Sequence, residues 1–162
     1  MVSRSQQVPL SRRALTELRE ELEYLRTTRR REIAETIRDA WESELDKDFD
    51  VAVPFEGAKE DQAFVEGRIA AIEQLLSQAV VLDEDAARRS ETVTVGSVVV
   101  LRHDDGRETQ YQVVSAAESD PAAGRLSLES PVGASLIGRR AGDTVKVRTP
   151  SGLKNLTISA LR

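Results

Sequence analysis

Cysteine is absent from the 162 residues, which excludes disulfide staples, thiolate metal sites and cysteine nucleophiles. His103 is the only histidine, so no site can draw on two imidazoles, H-E-x-x-H zinc chemistry included. Aromatic residues make up 4%. That is thin for a core and for a surface built on base stacking, so aliphatic side chains must do the packing. No apolar run approaches the ~18 residues of a membrane span, and the opening MVSRSQQVPL lacks the apolar core of a secretory signal. A cytoplasmic chain is expected. Hydrophobic residues at 40% and charged residues at 31% exclude a wholly disordered chain, and 17.9 kDa suffices for one medium domain or two small ones.

The formal net charge of −5 is unevenly distributed. Residues 1–84 carry 12 Lys/Arg against 19 Asp/Glu, a balance of −7, whereas residues 85–162 carry 11 against 9, a balance of +2. Within the first part, Asp39, Glu42, Glu44, Asp46, Asp48 and Asp50 crowd into a dozen residues opposed only by Lys47. A basic run, Arg26 to Arg31, precedes them. The overall negative charge argues against sequence-specific DNA as a partner.

From Leu15 the apolar residues Leu15, Leu18, Leu22, Leu25, Ile33, Ile37 and Trp41 follow a 3–4 alternation with one gap at Arg29, an a/d seam. Ser11 is a ready N-cap, and no Gly or Pro interrupts residues 11–49, so a long helix is expected from about Arg12 to about Glu42. A second seam, Val65, Ile69, Ile72, Leu76 and Ala79, follows the breaker-containing stretch Val53 to Gly57. Two consecutive helices with one narrow seam each pair most economically as an antiparallel hairpin, with its tip at about 43–56. Beyond Asp85 the period falls to two. Strands are expected at Thr92–Val95, Ser97–Leu101, Glu108–Ser115, Arg125–Leu128, Thr144–Thr149 and Lys154–Leu161, with a helical turn near Ala134 to Ile137. The expected fold is therefore α+β: residues 1–85 an N-terminal antiparallel coiled-coil hairpin, residues 86–162 a small, mostly antiparallel β domain.

Several residue patterns point further. Ser130-Pro131-Val132-Gly133-Ala134-Ser135-Leu136-Ile137-Gly138 followed by Gly142-Asp143-Thr144-Val145, and Gly57-Ala58-Lys59-Glu60-Asp61-Gln62-Ala63-Phe64-Val65-Glu66-Gly67-Arg68-Ile69, resemble the bacterial Gre transcript-cleavage factors. The resemblance spans nearly the whole chain and implies that the C-terminal domain is FKBP-like. It also implies a mode of action. Family members insert the hairpin into the secondary channel of RNA polymerase core, grip the channel's rim helices with the C-terminal domain, and bring tip carboxylates to the catalytic magnesium.

At the tip the chain departs from that pattern. Cleavage factors read G-D-L-x-E-N-A-E-Y, whereas this chain reads Glu44 to Phe55 with about three residues more, and Val51 stands where the family glutamate belongs. The resemblance then implies a regulator that inhibits catalysis, with Asp46, Asp48, Asp50 and Glu44 reaching the polymerase Mg²⁺ and no cofactor of its own. It would not be an enzyme; at most it stimulates the polymerase's intrinsic RNA cleavage. Glu129, Ser130, Pro131 and Leu136 are the implied rim-binding residues, and Arg26, Arg29, Arg30 and Arg31 an implied basic patch toward the polymerase or the nascent RNA 3′ end.

Each of these has a plainer alternative. The acids can be a solvated loop, the arginines can pair with Glu23, Glu32 and Glu35 along their own helix, and Ser130-Pro131 can merely cap a short helix. Trp41, Phe49 and Phe55 can pack the hairpin end. Two functional alternatives stand beside inhibition: an active cleavage-stimulating elongation factor, and a coiled-coil adaptor acting on a different protein. Prolyl isomerase chemistry is disfavoured because Tyr111 is the only aromatic of the C-terminal half.

Overall fold

The computed structural model describes residues 7–45 and 53–162, with the backbone alone at 43–45 and 53–55. In chain order the elements are β1 (Val8–Leu10), α1 (Arg12–Tyr24), a π-helical turn (Leu25–Arg29), α2 (Arg30–Leu45), α3 (Val53–Gln78), β2 (Ala79–Val81), α4 (Glu84–Arg89), β3 (Val98–His103), β4 (Glu108–Val114), β5 (Arg125–Ser127), α5 (Pro131–Leu136), β6 (Thr144–Thr149) and β7 (Gly152–Leu161). Packing divides them into two compact units. One comprises Leu15–Gln78, the other Met1–Ala14 with Ala79–Arg162. The division thus falls at 14/15 and 78/79 rather than at 85/86, because β1 pairs in parallel with β2, Val8 opposite Ala79 through Leu10 opposite Val81. Three-residue strands are too short to display alternation, and Ala79, assigned by spacing to a helical seam, opens β2 instead.

The hairpin unit is the expected helix pair, closed by one apolar seam. Leu22, Ile33, Val65, Ile69 and Ile72 are buried in it, flanked by Leu18, Leu25, Ile37 and Leu76. The gap at Arg29 has a structural cause. Continuing the 3.5-residue repeat from Leu25 would put Glu32 on the seam, yet the next apolar residue is Ile33, one position late. The backbone absorbs the extra residue between them as the π turn Leu25–Arg29, in which Arg30 N–H donates to the Leu25 carbonyl five residues back. An i→i+5 turn holds one more residue than an α turn, so Ile33 and Ile37 return to the seam. Trp41, next in the expected seam, is 54% exposed. At the other arm, α3 begins inside the stretch read as a breaker, since Pro54 falls in the first turn, where its missing N–H is no loss.

In the β unit five strands run in the order β5-β4-β3-β7-β6, antiparallel except for the β4–β5 pair. One face of the sheet supplies the core: Val99, Leu101, Val113, Val145, Val147, Leu156 and Ile158, covered by Leu136 of α5 and by Val93. Each such side chain contributes roughly 1.5–3 kcal/mol by leaving water. Thr92–Val95 is not a strand; it runs beside the α5 end, where Val93 N–H donates to the Arg139 carbonyl. Ser11 caps α1 as expected, its Oγ accepting from Ala14 N at 3.1 Å. The N3 position is Ala14, which cannot complete a capping box, and Glu118 takes that part from a distance. Its carboxylate accepts from Ser11 N at 2.9 Å and from Ser11 Oγ at 2.6 Å.

One substitution and a pair of deletions test this architecture. A Cβ on Gly133 would stand 1.9 Å from the Ser127 carbonyl oxygen, so Gly133→Ala should cost at least about 2 kcal/mol in a denaturant melt. Deleting Thr28 removes the surplus residue, so the hairpin's helicity and melting temperature should hold or rise, whereas deleting Ala70 from α3 should lower both.

Candidate functional site

Around the π turn the basic run is largely consumed within the hairpin. Arg30 Nε and Nη2 each donate at 2.7 Å to the two carboxylate oxygens of Glu66. Arg26 pairs with Glu73, and Arg29 reaches both Asp61 and Glu32 at 3.2 Å. A reciprocal fork joins Arg68 to Glu21 at 2.7 and 2.8 Å. On α3, Glu66 and Glu73 lie seven residues apart on one flank of the seam, Asp61 and Arg68 seven apart on the other. The arginines therefore bridge the two arms. Of the in-helix partners considered, only Glu32 is used. These pairs are exposed and individually weak, and their combined effect is to reject other registers. Arg31 is the exception: exposed, and without an ion pair among the described residues.

The seven-residue spacing of charged residues on α3, Glu66 to Glu73 on one flank of the seam and Asp61 to Arg68 on the other, is the signal that would have identified these cross-arm partners. Hydrogen bonds from Arg30 hold the Glu66 carboxyl below its ordinary range, and those from Arg68 do the same for Glu21.

At the far end of the hairpin, Asp46, Asp48 and Asp50 lie outside the described residues, as does the side chain of Glu44 in the last turn of α2. Phe49 is likewise outside, and so is the Phe55 side chain. The approach to the tip is described: Asp39 and Glu42 are exposed and share Arg38 at 3.6 and 4.0 Å. Among the described residues no cluster of three His, Asp or Glu side chains is disposed to hold a metal ion. His103 is spent on structure, its Nε2 lying 2.9 Å from Thr109 Oγ1 on the neighbouring strand.

In the β unit the residues 129–136 separate into surface and core. Glu129 and Pro131 are exposed. Ser130 caps α5, accepting from Gly133 N at 3.0 Å while donating to the Ser127 carbonyl at 2.7 Å. Leu136 is 0% exposed, so it cannot touch a partner directly; α5 turns it inward against Val145 and Val147. The apolar side chain this turn presents to solvent is the next one, Ile137, at 40% exposure. Spacing alone does not tell Leu136 from Ile137, because which of two adjacent apolar residues faces in depends on where the helix ends. Tyr111 is partly buried against the core, so it does not line an aromatic pocket.

Comparison with known proteins gives the arrangement its context. Residues 8–81 match the family described as "Transcription elongation factor, N-terminal", and residues 88–162 match "Transcription elongation factor, GreA/GreB, C-term". Transcription elongation factor GreA of Chloroflexus aurantiacus is 47% identical over 154 residues, covering 94% of this chain and 96% of the relative. The chain belongs to the GreA/GreB family of transcription elongation factors. GreA of Clostridium acetobutylicum is 39% identical over 99% of this chain and 100% of its own length. Among solved structures, GreA factor homolog 1 (Gfh1) of Thermus thermophilus is 32% identical, covers 96% of this chain and 99% of that one, and superposes with a TM-score of 0.41. Members of the family are not enzymes in their own right. No helix among the described residues is long and apolar enough to cross a membrane.

The cross-arm pairs make the hairpin acid-sensitive. A carboxyl whose folded pKa lies below the ordinary value of 4.5 stabilises the fold above pH 4.5 and loses that contribution as pH falls through the lowered value. Helicity at low salt should thus be flat from pH 7 to about pH 5 and decline below it, and Arg30→Ala should blunt the decline. A hairpin equally stable at pH 7 and pH 3 would contradict the role given to these pairs.

Proposed function

We propose that this chain binds RNA polymerase core, enters its secondary channel with the helical hairpin, and inhibits synthesis by presenting Asp46, Asp48 and Asp50, with Glu44, to the catalytic Mg²⁺ of that enzyme. The observation that carries the reading is the wording of the tip within a chain of this family. It has acids at every second position from 46 to 50 and Val51 where the cleavage factors carry glutamate. Carboxylate oxygens are the donors a hard cation prefers, so the tip residues suit a magnesium ion already held by a partner. The chain requires no cofactor of its own. A 26-residue α3 is about 39 Å long, a span suited to a deep channel.

The remaining surfaces fit the same scheme. Glu129, Pro131 and Ile137 are the accessible groups around α5 for contact with the rim helices, with Ser130 holding the turn in shape. Of the basic run, Arg31 is the group left over for the polymerase or the nascent RNA 3′ end, since Arg26, Arg29 and Arg30 are committed to α3. A role at RNA polymerase implies a cytoplasmic protein.

A second reading, stimulation of the polymerase's own RNA cleavage with the tip aspartates in place of the usual pair, is favoured by the name GreA of the relatives. A backtracked elongation complex separates the two. Inhibition predicts slowed nucleotide addition without release of short 3′ RNA fragments; rapid dinucleotide release would establish cleavage instead. Replacing Asp46, Asp48 and Asp50 together by alanine should leave association with core polymerase intact and abolish the effect on synthesis. Failure of the unaltered chain to co-purify with core polymerase would turn the argument toward an adaptor of a different protein.

A further inference from the structure

The five-stranded sheet has two faces, and only one is used by the core. Alternation turns Val145, Val147, Leu156, Ile158 and Leu101 inward beneath α5. Their neighbours in sequence therefore face outward, and the strand register sets them side by side. Arg148 stands opposite Leu153, Lys146 opposite Asn155, and Thr144 opposite Thr157, which in turn lies opposite Arg102 on β3. Arg102, Lys146 and Arg148 are all exposed. None of the three has an ion pair or side-chain hydrogen bond among the described residues, although arginines elsewhere, such as Arg30, Arg68 and Arg125, are mated to acids.

We propose that this outward sheet face binds single-stranded nucleic acid through its phosphates, with Arg102, Lys146 and Arg148 as the cationic contacts.

The chemistry favours a polyphosphate strand. Lys146 and Arg148 are two residues apart on one strand, hence about 6.8 Å, close to the stride between neighbouring phosphates of an extended chain. Hydroxyl and amide groups of Thr144, Thr157 and Asn155 lie between the cations and suit phosphate oxygens. Two carboxylates border the patch. Asp104 accepts from Asn155 N and Nδ2 at 3.3 and 3.4 Å, and Glu108 faces Arg102 from the far side. Protection of an edge strand by charge accounts for cations on β6 but not for Arg102, which lies on the central strand β3. No aromatic residue stands among these groups, so binding is through phosphate alone, indifferent to base identity and steeply salt-dependent. The face lies across the sheet from α5, so it remains open when the residues around Glu129 and Pro131 are occupied, and the inference does not depend on the tip acids.

The test uses the full chain and a fluorescein-labelled dodecamer of oligouridylate, read by anisotropy at salt concentrations between about 50 and 200 mM. Three phosphate contacts at roughly 0.7 each predict a slope near −2 for log affinity against log salt. K146E/R148E should weaken binding at least tenfold at the lowest salt and flatten the slope, with K146Q/R148Q as the milder pair should the reversal impair folding. The charge-reversal control R89E on α4 should keep the affinity within twofold. Binding that survives both double variants, or no binding at all by the unaltered chain at the lowest salt, would overturn the assignment. So would displacement of the RNA by an oligoglutamate peptide at equal charge, which would make the face an acidic-protein site.

Discussion

A seven-residue apolar repeat tolerates no surplus residue unless the backbone takes it up, and the hairpin depends on that being done between Leu25 and Ile33. The π turn at Leu25–Arg29 is the accommodation. Because it returns Ile33 and Ile37 to the seam with Val65, Ile69 and Ile72, the two arms keep one register from Leu18 to Ile37. The external features of the hairpin follow from this register. Arg26 and Arg30 meet Glu73 and Glu66 on one flank, while Arg29 and Glu21 meet Asp61 and Arg68 on the other. A slip by one residue would bury charge in the seam and separate all four pairs together, so weak exposed contacts act here as a register check.

The β unit solves a different problem, that of closing a sheet over a single short helix. Gly133 lets α5 approach the Ser127 carbonyl more closely than any side chain permits, and Ser130 ties the same carbonyl to the helix N-terminus. The proximity turns Leu136 fully inward and leaves Ile137 outside. The surface around α5 is thus a by-product of the packing beneath it. Its composition is set by the one residue that ends the helix.

In the proposed function, the hairpin carries the chemistry at its tip and the β unit carries surface. The charge of the chain follows the same division, acidic in the first half and mildly basic in the second. Within the basic half the cations are sorted further. Arg107 and Arg125 are engaged by Asp105 and Asp120 at turns, whereas Arg102, Lys146 and Arg148 collect on a sheet face with hydroxyl and amide neighbours.

Periodicity in the sequence was enough to determine the helix pair, the change to strands after Asp85, the Ser11 cap and most strand positions, because side chains repeating every 3.5 or 2 residues express local geometry directly. The family, too, was legible in the motifs 57–69 and 130–145, and so was the unusual acid spacing at 46–50. What only the tertiary structure decided were matters of partnership. Spacing marked Arg29 as a gap without revealing a π turn, since backbone can absorb an extra residue in several ways and the seam of α3 selects one. It offered Glu23 and Glu35 to the arginines, and the acids of the opposite arm took them, a pairing that exists only once the arms are in register. It could not pair Val8–Leu10 with Ala79–Val81 or bring Glu118 to Ser11, because contacts between distant segments have no period along the chain.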